Sequence, residues 1–205
     1  PYVLKEMHAA QQGDLIPFDK ALWGHVGFTV SNAARALIMG ITGSHFVKVP
    51  AGVAPETRRY YQQLTRFSAA FAFIADISMG TMGGALKRKE KLSARLGDIL
   101  SLMYLATATL KRYESEGRHS ADAPLMHWAI WDCMFRIQQA FEGVIANFPN
   151  KLFAFVLRRV VVFPLGRPYV VPSDKLGHKV AALLLDPSPT RDRLTADVHL
   201  PTDIE

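Results

Sequence analysis

The side chains able to do chemistry are few and scattered. Seven histidines stand at positions 8, 25, 45, 119, 127, 178 and 199. No two of them lie four residues apart beside a third, acidic ligand, which is the convergence a helical metal site needs. The spacing predicts no metal site. Cys133 is the lone cysteine, so an internal disulfide and a cysteine-based zinc cage are excluded. It falls on an apolar helical stripe, where a small core residue is the better reading than a nucleophile. No Ser/His/Asp arrangement can be defended from spacing, and the carboxylates of Glu114 and Glu116 fall on what reads as an exposed helix end. Gly24-x-x-Gly27 and Gly40-x-x-Gly43 follow no strand, so no dinucleotide fingerprint is present. Trp23, Trp128 and Trp131 read as packing or interface anchors rather than a ligand cage. The run Lys87-Arg88-Lys89-Glu90-Lys91 could meet phosphate or an anionic membrane, but a solvated helix start explains it more simply. The residues themselves therefore assign no catalytic, cofactor-binding or metal-binding position.

The elements that would hold these groups are helices. None of the twelve prolines falls between Pro55 and Pro124, while seven fall from Pro149 onward. Proline inside a helix costs about 3 kcal/mol, so long helices belong in the free stretch and a more irregular segment at the end. Tyr60, Leu64, Phe67, Phe71 and Ile74 form one helical stripe, begun by Pro55 and Glu56 and weakened at Gly83-Gly84. From Lys87 a second stripe runs Leu92, Leu96, Ile99, Met103, Ala106 and Leu110 to a stop at Gly117, with Lys91, Arg95, Asp98 and Lys111 opposite. A third follows Pro124 through Met126, Ile130, Cys133, Ile137, Phe141, Val144 and Phe148.

Ahead of these lie a short helix from Tyr2 to Gln12, closed by Gly13, and a longer one from about Phe18 to Ile41. Beyond them, residues 151–162 read as an apolar helix. Val160-Val161-Val162-Phe163 alone could instead be a strand. Ser173 caps a last helix that ends at Asp186-Pro187. The predicted fold is all-α: an antiparallel helical bundle with a proline-rich, more irregular C-terminal segment. Its single domain spans 1–188, with leading helices over 1–50, the long-helix bundle over 55–148 and short helices with a connector over 151–188. A loose tail or linker is expected over 189–205.

The chain has 205 residues, of which 49% are hydrophobic and 20% charged. That is enough for one cored domain, and it excludes a disordered tail or a collagen-like fibre. The net charge of +6 is interleaved with acids, so nucleic acid is not an expected partner. Between Arg66 and Lys87 lie 20 residues with only Asp76 charged, close to a membrane-spanning length. A carboxylate at mid-span would cost about 2.5–3.5 kcal/mol on insertion scales. A core helix is the stronger reading. No signal peptide is visible, and Pro1 and Glu205 both read as cuts within a longer protein.

Several segments carry a resemblance. The opening Pro-Tyr-Val-Leu-Lys-Glu-Met, Arg59-Tyr60-Tyr61-Gln62, the block from Gly84 to Leu100, and Leu110 to Gly117 are similar to the long, bacterial-type acyl-CoA dehydrogenases of fatty-acid β-oxidation. So are Phe163 to Arg167, Pro172 to Leu176 and His178 to Val180. The resemblance covers nearly the whole chain and weakens around 41–55 and after Pro187. It implies a parent enzyme of lipid metabolism that uses FAD to convert acyl-CoA to trans-2-enoyl-CoA. It implies that electrons pass on to an electron-transfer flavoprotein, and that this segment is the helical C-terminal extension. The family's base is a Glu in a Glu-Gly motif lying upstream of this segment. Glu116-Gly117 and Glu142-Gly143 lack its flanking pattern, so neither takes that role.

The segment is then expected to be structural, without flavin of its own. It would pack on the dehydrogenase core of the same chain in a homo-oligomer, and the apolar stripe from Tyr60 to Met82 fits burial against that core, a second subunit or a membrane surface. A cytoplasmic enzyme is expected, with any membrane contact at the cytoplasmic face of the inner membrane. The alternative is a helical module that docks on an anionic membrane through Lys87 to Lys91 and Arg158-Arg159, or on a protein partner.

Overall fold

The computed structural model describes residues 2–162, 166–196 and 198, and these residues contain helices but no strand. The helices are α1 (Tyr2–Gln12), α2 (Leu15–Ile41), α3 (Pro55–Met82), α4 (Glu90–Ser115), α5 (Ala123–Ala146), α6 (Lys151–Leu157), α7 (Asp174–Leu185) and α8 (Pro189–Thr195). Their boundaries follow local chemistry. Gly13 closes α1 at φ +71° and Gly117 follows α4 at φ +97°, both in the left-handed region that a Cβ disfavours. Pro55 opens α3, where its missing N–H costs nothing. Ser173 caps α7 by accepting the Leu176 N–H, as expected, and Asn150 caps α6 through the Leu152 and Phe153 N–H groups.

The core sits between α3, α4 and α5. Leu92, Leu96, Ile99, Ala106 and Leu110 of α4 meet Met126, Ile130, Ile137, Phe141 and Val144 of α5, all buried. The pair approaches closely at Gly143, where a Cβ would lie 2.8 Å from Arg95 Nε. On α3, Leu64, Phe67, Phe73 and Ile74 are buried against this pair and its neighbours. Cys133 lies in the same core, and burial pushes its thiol pKa up, with Asp132 adding to the effect and Arg136 opposing it.

Two expectations are corrected and one open alternative is decided for the helix. A 3-10 turn over Gly83–Arg88 precedes α4, so that helix begins at Glu90 rather than Lys87. The strand reading of the valine run fails over its described part: Arg158–Val162 is a π-helical turn continuing α6, and Phe163 lies outside the described residues. The expected loose tail holds a helix, α8, whose own Thr190 is buried; of that tail, residues 197 and 199–205 lie outside the described residues.

Pro55–Arg88 is long and apolar enough to cross a membrane by length and composition. Here α3 serves as a core helix. Asp76 accepts a hydrogen bond from Thr29 at 3.0 Å and faces His25 Nε2 at 3.5 Å, so α2 shields the one charge of the run. Further along, Arg66 is only 4% exposed, and its Nη2 donates to Val161 O at 2.8 Å. Burial pulls its pKa below the ordinary value, and Tyr169 opposes that pull. The guanidinium sits at the C-terminal end of the α6 helix run, where backbone carbonyls favour a cation.

Candidate functional site

Where α4 ends, α5 begins and α8 crosses them, a cavity of about 280 Å³ opens. Its floor is apolar, built from Leu125, Met126 and Ala129 of α5, Leu194 of α8 and the ring of Tyr113. Its mouth carries Arg112, Glu116, His119, Asp122 and Arg193. Helical spacing explains the shape. Leu125 and Ala129 stand four apart on α5, and Thr109, Arg112, Tyr113 and Glu116 step by three and four on α4, so each set shares a face.

Two charge pairs fix the mouth. Arg112 Nε donates to both Glu116 oxygens at 2.9 and 3.0 Å, and its Nη2 reaches Arg193 O at 3.4 Å. Asp122 accepts from Arg193 Nε at 3.2 Å, from Arg193 Nη2 and from the Thr190 hydroxyl. Burial acts to raise the Asp122 carboxyl, but Arg193 and Thr190 outweigh it and hold its pKa below the ordinary value. This clamp attaches α8 to the start of α5.

A neighbouring cluster secures α3. Glu114 is not on an exposed end: its side chain is 11% exposed and pairs with Arg118 Nε at 2.7 Å. It accepts the Ala54 N–H at 3.1 Å and the Thr57 hydroxyl, capping α3 in place of the uncapped Ala54. Glu56 accepts from the Tyr113 hydroxyl at 3.1 Å, and its pKa is lowered by its backbone hydrogen bond first and by Tyr113 second. Glu116, by contrast, stays exposed as expected.

The remaining sequence candidates are dispersed. His127 Nδ1 lies 2.7 Å from the Tyr60 hydroxyl, and burial pulls the imidazole below its ordinary pKa against the opposing charge of Glu56. His25 bridges Glu6, at 2.9 Å, and Asp76, with Tyr2 stacked on its ring. His8, His45 and His178 are exposed, and His199 lies outside the described residues. Among the described residues no three His, Cys, Asp or Glu side chains converge as metal ligands. Glu142 pairs with Arg167 Nε at 2.7 Å, an approach outside hydrogen-bond geometry. Lys87, Arg88, Lys89, Lys91, Arg158 and Arg159 are exposed, with Arg159 lying over the Phe155 ring at 5.1 Å. Trp23 stands out on α2, 71% exposed, whereas Trp128 and Trp131 are half-buried.

A flavin dinucleotide does not fit these elements. The cavity at α8, at about 280 Å³, is smaller than ordinary ligand pockets and cannot take a flavin dinucleotide. The groove between α1 and α2 has Gly24, but a Cβ there would meet the Tyr2 ring at 2.8 Å, so the chain itself fills that space. Sequence reasoning missed both the α8 cavity and the Glu114 cap. The presence of a helix-breaking Pro187 followed by Ser188-Pro189, a capping residue before a proline, is the signal that could have revealed α8.

One family model, described as acyl-CoA dehydrogenase, C-terminal, bacterial type, matches residues 1–205. No solved structure matches the chain.

Proposed function

Because the chain belongs to the bacterial-type acyl-CoA dehydrogenase C-terminal family, we propose that it is a non-catalytic assembly domain of such an enzyme. The parent would catalyse the first step of fatty-acid β-oxidation, acyl-CoA to trans-2-enoyl-CoA. Its FAD and carboxylate base would lie outside these residues, and an electron-transfer flavoprotein would accept the electrons.

The observation that carries the assembly role is the outer face of α2. Ile16, Trp23, Val26, Val30, Ile38 and Ile41 are all exposed there, along a helix of 27 residues. Exposed apolar surface of this extent marks an interaction site more often than a solvated wall. This exposed face supports α2 as the docking face. The stripe from Tyr60 to Met82, also a candidate from the sequence, is instead largely committed to the core through Leu64, Phe67 and Ile74. The partner surface is the dehydrogenase core of the same chain, within a homo-oligomer.

Substituting Trp23, Val30 and Ile38 together by Asp in the whole enzyme tests this. Altered oligomeric mass in light scattering and a lower melting temperature are expected. A triple variant that matches the parent in both would overturn the reading. So would flavin copurifying with the 205-residue domain alone.

A second reading has its own observation. Lys87, Arg88, Lys89 and Lys91 form no ion pair among the described residues. An exposed, unneutralised basic run suits an anionic bilayer at the cytoplasmic face of the inner membrane. Flotation with anionic vesicles at low and high salt decides it, because such docking weakens as salt screens it.

A further inference from the structure

The cavity between α4, α5 and α8 has the chemistry of a receptor for a small amphiphile. Its walls are mainly hydrocarbon, from Leu125, Met126, Ala129 and Leu194. Its charged lining comes from the end of α4, the loop after it, the start of α5 and α8, while the hydrocarbon comes mainly from α5, a division that suits a ligand with one polar terminus and one apolar tail.

The hydrogen-bond inventory of the mouth decides which polar terminus fits. Both oxygens of Glu116 already accept from Arg112 Nε. Both oxygens of Asp122 already accept from Arg193, and one also from Thr190. The acceptors are therefore engaged and their charges matched. Donors remain. Arg112 uses Nε and Nη2, which leaves the N–H groups of Nη1 free, and the His119 ring makes no side-chain hydrogen bond among the described residues. A guanidinium with a free edge and an unpaired imidazole, both lining an apolar cavity, call for a ligand whose terminus is an acceptor with no proton to donate, and a carboxylate is such a group.

We infer that this cavity binds a medium-chain aliphatic monocarboxylate, with its carboxylate at Arg112 and His119 and its chain over Leu125, Met126 and Ala129. A volume of about 280 Å³ lies at the small end of ligand pockets, so long chains are excluded. Because α8 supplies Leu194 and Arg193, the ligand bridges α8 to α5 and tightens that contact. The inference does not depend on the assembly role, since no residue lining the cavity belongs to α2.

The probe is decanoate below its micelle concentration, added to the whole enzyme, with hydrogen exchange read peptide by peptide. The expected result is slowed exchange in residues 189–196 and at the start of α5, with decanol weaker and decylamine inactive. Arg112→Gln should weaken the effect by about tenfold or more, since a charge-assisted contact is lost. Ala129→Phe, which fills the floor, should abolish it while leaving dehydrogenase turnover unchanged. Equal protection by decylamine would overturn the carboxylate assignment. Protection that survives Ala129→Phe, or that appears only in peptides away from α5 and α8, would overturn the site. The comparison of the three probes needs no variant, so a misfolded substitution leaves the test intact.

Discussion

The α4–α5 pair and the outer helix α2 carry similar apolar patterns and meet opposite fates. On α5 and just past its end, every member of the stripe from Met126 to Phe148 is buried. On α2, the stripe Phe18, Leu22, Val26, Val30, Ala34, Leu37 and Ile41 contains no buried residue. α2 packs inward mostly through small or polar residues instead, Ala21, Asn32, Ala36 and Gly40, with Met39 its one large buried side chain. Periodicity reports that a helix has an apolar face; it does not report what covers that face. In α5 the cover is this domain, and in α2 it is left to something else.

The contrast can be broken by truncation on each side. Ile137→Ala, at a residue of zero exposure, should cost about 2–5 kcal/mol in denaturant unfolding of the domain. Val30→Ala or Ile38→Ala should change the same measurement by about 0.5 kcal/mol or less. If the α2 substitutions cost as much as Ile137→Ala, the exposed face is an illusion and the distinction collapses.

Polar anchors sharpen it at smaller scale. Tyr169→Phe removes the hydroxyl that donates to Gln63 Oε1 at 2.7 Å and leaves a buried acceptor unpaired. Loss of about 1–3 kcal/mol is expected by denaturant unfolding. In the parent domain that hydroxyl, with its pKa pushed up to about 12 by burial, should be absent from the spectroscopic tyrosine titration near pH 10. Glu114→Gln should cost about 1 kcal/mol, because the cap of α3 weakens while the shape persists. Faster exchange of the first α3 amides would report it.

The smallest effect is a pH slope. The folded-state pKa of His127 is depressed below its unfolded value, so the unfolded chain binds the extra proton. Its contribution is present above the ordinary histidine pKa and is lost as pH falls through the folded value. Stability should therefore decline below about pH 6.5, the unperturbed value. His127→Gln should flatten that decline, and melting curves at stepped pH would show whether it does.

Much of this fold was legible in the residues. Prolines and glycines marked most helix ends, Ser173 announced its cap, and the three long stripes identified the core of α3, α4 and α5. What stayed hidden depends on distance along the chain. Glu114 caps a backbone 60 residues away, and Thr190 meets Asp122 across 68 residues, so neither partner is present in any local window. The cavity is hidden for the same reason, as its walls come from α4, the loop at His119, α5 and α8. Residues 151–162 read as a helix and are helical; the strand alternative at Val160-Val161-Val162 arose because β-branched runs favour strands locally, and burial of Leu157 and Val161 on one side decided for the helical turn.

The contact between Arg66 and Val161 O also orders events in time. Its two ends are separated by 95 residues, and the guanidinium is buried when it forms. On a ribosome, α3 emerges long before its acceptor does, so the nascent helix must keep Arg66 in water until residue 161 has cleared the exit tunnel. Burying that charge unpaired would cost several kcal/mol, and this holds the bundle open against premature closure. A chain ending before Val161 would carry the same obstacle permanently, which makes the last third of the domain a condition of completing the first.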